Sequence, residues 1–446
     1  MLPRWLAGVL AAAGAATLLA GCGIRVVTEP SPAVERGATP APSAPATPGI
    51  TSALAPAPSA SPVMPAPTVA PLVVPSPAAS AVAARDEALE AAARRVEAAA
   101  QVRAALPAFA QLTESMVERS GVPGAAVAVI AGDTVMYERA FGLREMGRPE
   151  LVGEDTLFQI GDVSSAYTTA MLAVVVAESE LGWDQPVRAV WRRFRLHDRW
   201  ATREAGLRDL TAGRSGLPAQ AGVELRAFGY GRAQILRRLR HLRPAAGFRT
   251  EHAPQAALVT LAATAAERAT GMSWSQLVRE RVLEPLGDRE TTLTWRGFRR
   301  AADRATPHTR VGGSMVPQDP SDETVFAPAL GVSASLRGLE VLARLHLNGG
   351  ALGGVRVVPE VLLAQTMRPA ASAAVSPDGP RAAAPGWMLS SFDGRLVASA
   401  EGGLASGSGA VMTLLPHDGM AVIVLANAHP EGLALGRALA RTLVDL

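Results

Sequence analysis

Apolar positions follow two rhythms along this chain. Residues 125–130 are an unbroken apolar run, then comes a Gly132-Asp133 turn, and apolar positions resume over 134–140. Short runs bounded by such turns predict a β-hairpin. The far end mirrors it: 410–415, a His417-Asp418-Gly419 turn and 421–426 predict a second hairpin, and 432–446 a closing helix. Between the hairpins the spacing becomes helical, over 163–178, 232–240, 255–270, 273–283 and 336–347. Ahead of the first hairpin, Phe109, Leu112 and Met116 recur at helical spacing within 107–119. The Ala-rich stretch 81–105, with Glu90 four residues before Arg94, also favours helix. Strands at both ends with helices between predict an α+β fold. One antiparallel sheet is drawn from the two chain ends and flanked by helices, with a mainly helical region inserted.

The N-terminal segment has neither rhythm. Residues 29–79 are mostly Pro, Ala, Ser and Thr, with too little apolar surface to offset ordering entropy. They read as a semi-extended disordered tether reaching on the order of 150 Å at most. Before it, Arg4 precedes a short apolar run from Leu6 to Ala20. That is a secretory pattern, too short for a membrane-spanning helix. Leu19-Ala20-Gly21-Cys22 resembles a bacterial lipobox, which implies cleavage before Cys22 and lipidation of its sulfur. Gly23 after the cysteine then implies the outer membrane, facing the periplasm, in a two-membrane host. The division expected is a signal peptide over 1–21, a tether over 22–80, a helix over 81–105 and a folded domain over 106–446.

Composition narrows the functions. Hydrophobic residues make up 48% of the 446, ample for a core, and a net charge of +3 argues against nucleic acid as a partner. Cys22 is the single cysteine, so no internal disulfide exists. All 43 Lys/Arg positions are arginine. A GC-rich genome accounts for arginine in place of lysine on a surface. It does not account for serine in place of lysine in a catalytic motif. Runs such as Arg192-Arg193-Phe194-Arg195 and Arg237-Arg238-Leu239-Arg240 read as solvated helix faces, or as contacts for an anionic surface.

From about Leu106 onward, ordered segments resemble the serine β-lactamase / penicillin-binding D-alanyl-D-alanine carboxypeptidase family, on the class C side. They are Val122-Pro123-Gly124-Ala125, Phe158-Gln159-Ile160-Gly161, the run from Leu207 to Pro218 ending Ser215-Gly216-Leu217-Pro218, Leu283-Glu284-Pro285-Leu286-Gly287 before Thr291-Thr292, Ala329 to Ser335, and Leu347-Asn348-Gly349-Gly350. The resemblance implies the β-lactamase/transpeptidase-like fold and three catalytic motifs. At Ser-x-x-Lys the chain has Asp162-Val163-Ser164-Ser165, with Asp162 for the nucleophile and Ser165 for the base. At Tyr-x-Asn it has Thr250-Glu251-His252. At Lys- or His-x-Gly it has Glu401-Gly402-Gly403.

Each replacement has two readings. Asp162 caps the active-site helix or serves new chemistry. His252 is a loop histidine or a general base beside a cleft. Glu401 reverses the charge that would hold an anionic substrate. The reading reached is a lipid-anchored cell-envelope protein with degenerate catalytic motifs and no cofactor or metal, binding a peptidoglycan peptide or an envelope protein. The alternative is a hydrolase rebuilt on Asp162, His252 and Glu401 as an acid–base or metal set, or on Ser164 or Ser165 as nucleophile, acting on peptide, ester or β-lactam substrates.

Overall fold

A computed structural model describes residues 77–376 and 379–445. The expected signal peptide, Cys22 and the tether up to residue 76 lie outside the described residues. The first helix, α1, is Pro77–Ser120 and runs unbroken through Pro107. The Ala-rich stretch and the Phe109 segment are one continuous helix, whose N-terminal end takes in residues 77–80.

Eight strands form the main sheet: β1 Gly124–Ala131, β2 Thr134–Gly142, β3 Ala371–Ser376, β4 Gly379–Ala384, β5 Trp387–Phe392, β6 Arg395–Leu404, β7 Ser408–Leu415 and β8 Met420–Ala426. Their order is β2-β1-β8-β7-β6-β5-β4-β3, antiparallel throughout. The two predicted hairpins meet at its centre, where Val127 pairs Val424 and Ala128 pairs Ile423. The chain ends do build one sheet. Strands β3 to β5 were not foreseen, because segments such as Gly379–Ala384 are rich in residues with little strand preference. They form by extending a sheet edge already present.

Both sheet faces are covered. This is why the central strands are apolar without alternation. Along β1, Ala126, Ala128 and Ile130 point to one face, and Ala125, Val127 and Val129 to the other. The first face packs on α2 (Ser164–Glu178), α4 (Ala256–Thr270) and α5 (Leu336–Leu347), with the short helix α3 (Arg199–Glu204) in the same helical region. The second face is closed by both chain ends: Phe109 and Val117 from α1, and Leu435, Leu439 and Leu443 from α6 (Glu431–Val444). The helices foreseen over 232–240 and 273–283 are shorter, Arg232–Arg238 and Trp274–Val278, each followed by a non-α turn.

Candidate active-site cleft

The segment leading into α2 is held by a small ribbon. Phe158–Gln159 pairs with Ser333–Ala334, and a single turn, Gly161–Val163, connects it to the helix. Strand β6 crosses this turn backbone to backbone. A Cβ on Gly402 would lie 2.2 Å from the Ile160 oxygen and 2.6 Å from the Asp162 nitrogen. Gly161 has φ +51 and faces Gly403 from the other side, where its Cβ would be 3.0 Å from the Gly403 nitrogen. The two glycines leave no room for side chains and fix Asp162 at the junction.

Asp162 is exposed, yet protein mass crowds its carboxyl. Desolvation raises its pKa to about 6, its own backbone N–H pulls the value down, and the Glu323 charge adds to the rise. The carboxylate does not cap α2. The capping position is Val163, and no side-chain cap bond is made there. The expectation of an Asp162 cap is thus corrected: the preceding 3-10 turn carries the chain into the helix, and Asp162 lies inside that turn.

The serines differ from one another. Ser164 is fully buried, and its Oγ accepts the Val332 N–H at 3.0 Å. That hydroxyl ties α2 to the residue before the Ser333–Ala334 ribbon and is buried away from any substrate, so its candidacy as a nucleophile fails on burial. Ser165 is half-buried beside Gly386, whose Cβ would be 3.1 Å from the Ser165 carbonyl oxygen. No basic side chain follows it in the next turn. Thr168 is buried, with its Oγ1 donating to the Pro328 carbonyl at 2.6 Å and accepting the Trp274 indole N–H at 2.9 Å.

Thr250 and His252 lie on a loop that folds back on itself. Thr250 is exposed and its hydroxyl donates to the Gly247 carbonyl at 2.8 Å. His252 is half-buried; its Nδ1 donates to the Ala212 carbonyl at 2.8 Å, and its backbone N–H to Ser372 on β3 at 3.3 Å. The loop is anchored on Asp209, which sequence reasoning passed over. Asp209 is buried, accepts the Gly206 N–H at 2.9 Å, and pairs with Arg214 at 2.6 Å and Arg249 at 2.9 Å. Arg249 adopts φ +68 to make that contact. The signal was in the chain, as a carboxylate in the Leu207–Pro218 run with arginines five and forty residues on. Sequence spacing alone does not join them.

Glu401 corrects a second expectation. Strand residues alternate faces, and Ala398 and Ala400 belong to the α2 side of the sheet. Glu401 therefore points to the opposite face, where it pairs with Arg437 on α6 at 2.7 Å. The positions that β6 presents to α2 are Ala400 and Gly402, neither charged. The charge at the third motif is removed, not reversed. Asp162, His252 and Glu401 consequently do not share a cleft. Glu401 is on the far face, paired with Arg437, while Asp162 sits at the β6 crossing and His252 is tied to β3. Among the described residues, no three His, Cys, Asp or Glu side chains group as a metal site.

A separate pocket of about 170 Å³ lies beyond the ribbon, walled by Gln159, Trp274, Trp295, Phe298, Glu323 and Ser333. Glu323 is buried there; it pairs with Arg226 and accepts the Ser321 hydroxyl at 2.5 Å.

The antiparallel sheet closed by both termini, with a helix starting against its β6 strand, is the β-lactamase/transpeptidase-like architecture. The chain belongs to the Beta-lactamase family, which it matches over residues 109–445. It is 24% identical over 354 residues to "Unguisins hydrolase ungD'" of Aspergillus campestris (strain IBT 28561), covering 76% of this chain. It spans 64% of that relative's length. It is 26% identical over 171 residues to a "Beta-lactamase" of Escherichia coli (strain K12), covering 38% of this chain and 44% of that one. Among solved structures, the octameric penicillin-binding protein homologue from Pyrococcus abyssi superposes with a TM-score of 0.64 at 18% identity, over 76% of this chain and 77% of that one. The class C β-lactamase from Rhodobacter sphaeroides gives 0.60 at 20% identity, over 76% and 99%. At these identities the likeness establishes the fold.

Proposed function

We propose that this chain is a non-catalytic member of the Beta-lactamase family, a binding or scaffold protein of the bacterial cell envelope anchored through lipid on Cys22. Its partner class is a peptidoglycan peptide or an envelope protein. One observation carries the reading: no hydroxyl at the start of α2 is both reachable and served by a base. Ser164 is buried and bonded to Val332. Ser165 has no amine one turn on, and the chain contains no lysine. A serine hydroxyl without a positioned base is a poor nucleophile at neutral pH. Loss of the nucleophile or its base costs a serine protease about 10⁶ in turnover. The test is labelling of the purified protein with a fluorescent penicillin and a fluorophosphonate. Neither is expected to leave an adduct, and a stable acyl adduct on any serine would overturn the reading.

A second reading rests on Asp162. A solvent-reached carboxyl with a pKa of about 6 can take and give a proton near neutrality, and one relative is named as a hydrolase. Turnover of an ester or peptide substrate, rising through pH 6 and lost in Asp162→Asn, would establish this reading in place of the first.

A further inference from the structure

Four arginines rim a hollow that takes no part in the reading above. Arg188, Arg195, Arg199 and Arg203 surround an open depression of about 350 Å³, floored by Leu196 and Thr202. Arg199 and Arg203 are four residues apart on α3, which puts both on one helix face. Arg188 comes from the single turn Val187–Ala189, and Arg195 from the bend that leads into α3.

The backbone under the four is pinned. The Val187 N–H donates to the Ala205 carbonyl at 2.9 Å, which joins the turn to the end of α3. Thr202 is buried, and its Oγ1 accepts the Leu196 N–H at 3.0 Å while lying 2.7 Å from the Asp198 carbonyl oxygen. The floor is therefore built before any ligand arrives.

None of the four guanidinium groups has a carboxylate at ion-pair distance among the described residues. Arg195 donates only to the carbonyls of Phe194, at 3.0 Å, and Arg192, at 3.4 Å. Two of the nearby acids are engaged: Asp198 caps α3 by accepting the Ala201 N–H at 2.7 Å, and Asp184 holds Arg208 at 2.8 Å; Glu204, next to Arg203, is not at ion-pair distance from any of the four. Like charges four apart on a helix destabilise it, so stability does not explain this arrangement. Four unpaired cations around one concavity focus a positive potential into it. Guanidinium forks match the paired oxygens of phosphate, and four of them exceed what one carboxylate can satisfy. The hollow has the size of a small-molecule site, larger than a bare ion needs.

We propose that this hollow binds a multiply charged, phosphate-bearing ligand of the diphosphate or phosphate-ester class. The test uses the full chain carrying Cys22→Ala, so that no acyl group contributes. Inorganic diphosphate is titrated calorimetrically at low and at moderate salt, and its effect on Tm is read in parallel. One-to-one binding that weakens with salt and raises Tm is expected. Arg199→Gln/Arg203→Gln is expected to weaken binding at least tenfold and to abolish the Tm rise. Its circular dichroism should be unchanged, since removing like charges does not threaten the fold. Arg188→Gln/Arg195→Gln is expected to do the same from the other wall. Co-sedimentation with phosphatidylglycerol vesicles, against phosphatidylcholine alone, separates the sources. Arginine-dependent binding to vesicles without diphosphate binding would assign the phosphate to a lipid headgroup. Absence of binding to both probes, or equal binding by the parent and the variants, would overturn the proposal.

Discussion

At the scale of single residues, the direction a side chain takes decides its role as much as its identity does. Asp162 and Ser165 lie at the entry to α2, and that much was legible because a helix start is a local event, set by a few consecutive residues. Glu401 was assigned to the wrong side because strand faces alternate, and one position inverts the answer. Its partner Arg437 lies 36 residues away, where no local pattern reveals it. Asp209 went unnoticed for the same reason. Another carboxyl, Glu340 on α5, is buried with Oε1 unpartnered. Burial first, and then the charge of Glu138, push its pKa up to about 7, while Arg337 and Arg344 pull it down. The folded state therefore holds a proton that the unfolded state releases at lower pH. The associated stability is fully present below about pH 4.5 and is lost as pH rises through about 7. Glu340→Gln should remove that loss, gaining on the order of 2 kcal/mol at pH 8 and little at pH 4. Urea midpoints at the two pH values check this, and equal effects of the substitution at both would refute it.

At the scale of elements, the site depends on how closely β6 and the lead-in to α2 approach. Hydrophobic rhythm predicted α2 and the central hairpins, because each buries a continuous apolar face. It could not predict β3 to β5, whose pairing depends on an existing edge, nor the backbone contact at Gly402. Such a contact is a property of two elements together. Gly402→Val should force that contact apart, since even a Cβ falls well inside contact distance of Ile160 and Asp162. A loss of about 3 kcal/mol or more is expected, as for other overpacked core positions. Gly231→Ala, where nothing lies within 4 Å of the new Cβ, serves as the control. Comparable denaturation midpoints for the two variants would show that the close approach is not required.

At the scale of the whole molecule, the outer sheet face is closed by the first and last helices, so the two chain ends finish one core. That closure was visible in sequence as matching hairpins at both ends of the domain. The reach of the first helix was left open, because the sequence pattern offers two helical stretches, 81–105 and 107–119, without saying whether they join at Pro107. Along α1, residues 85–90 are exposed, and from residue 85 onward the first buried side chain is Ala98. Tension applied from the upstream chain would thus reach an unsupported helix before it reached the sheet. Unwinding residues 85–94 lengthens each by about 2 Å, or about 20 Å of extension in all. An optical-tweezers trace should show this compliance at low force, ahead of an abrupt rupture when α1 is sheared from β1 and β2. A trace with rupture alone would mean that the helix is as stiff as the body it leaves. With the compliance expected, the protein carries its own shock absorber, made from the exposed stretch of helix ahead of its core.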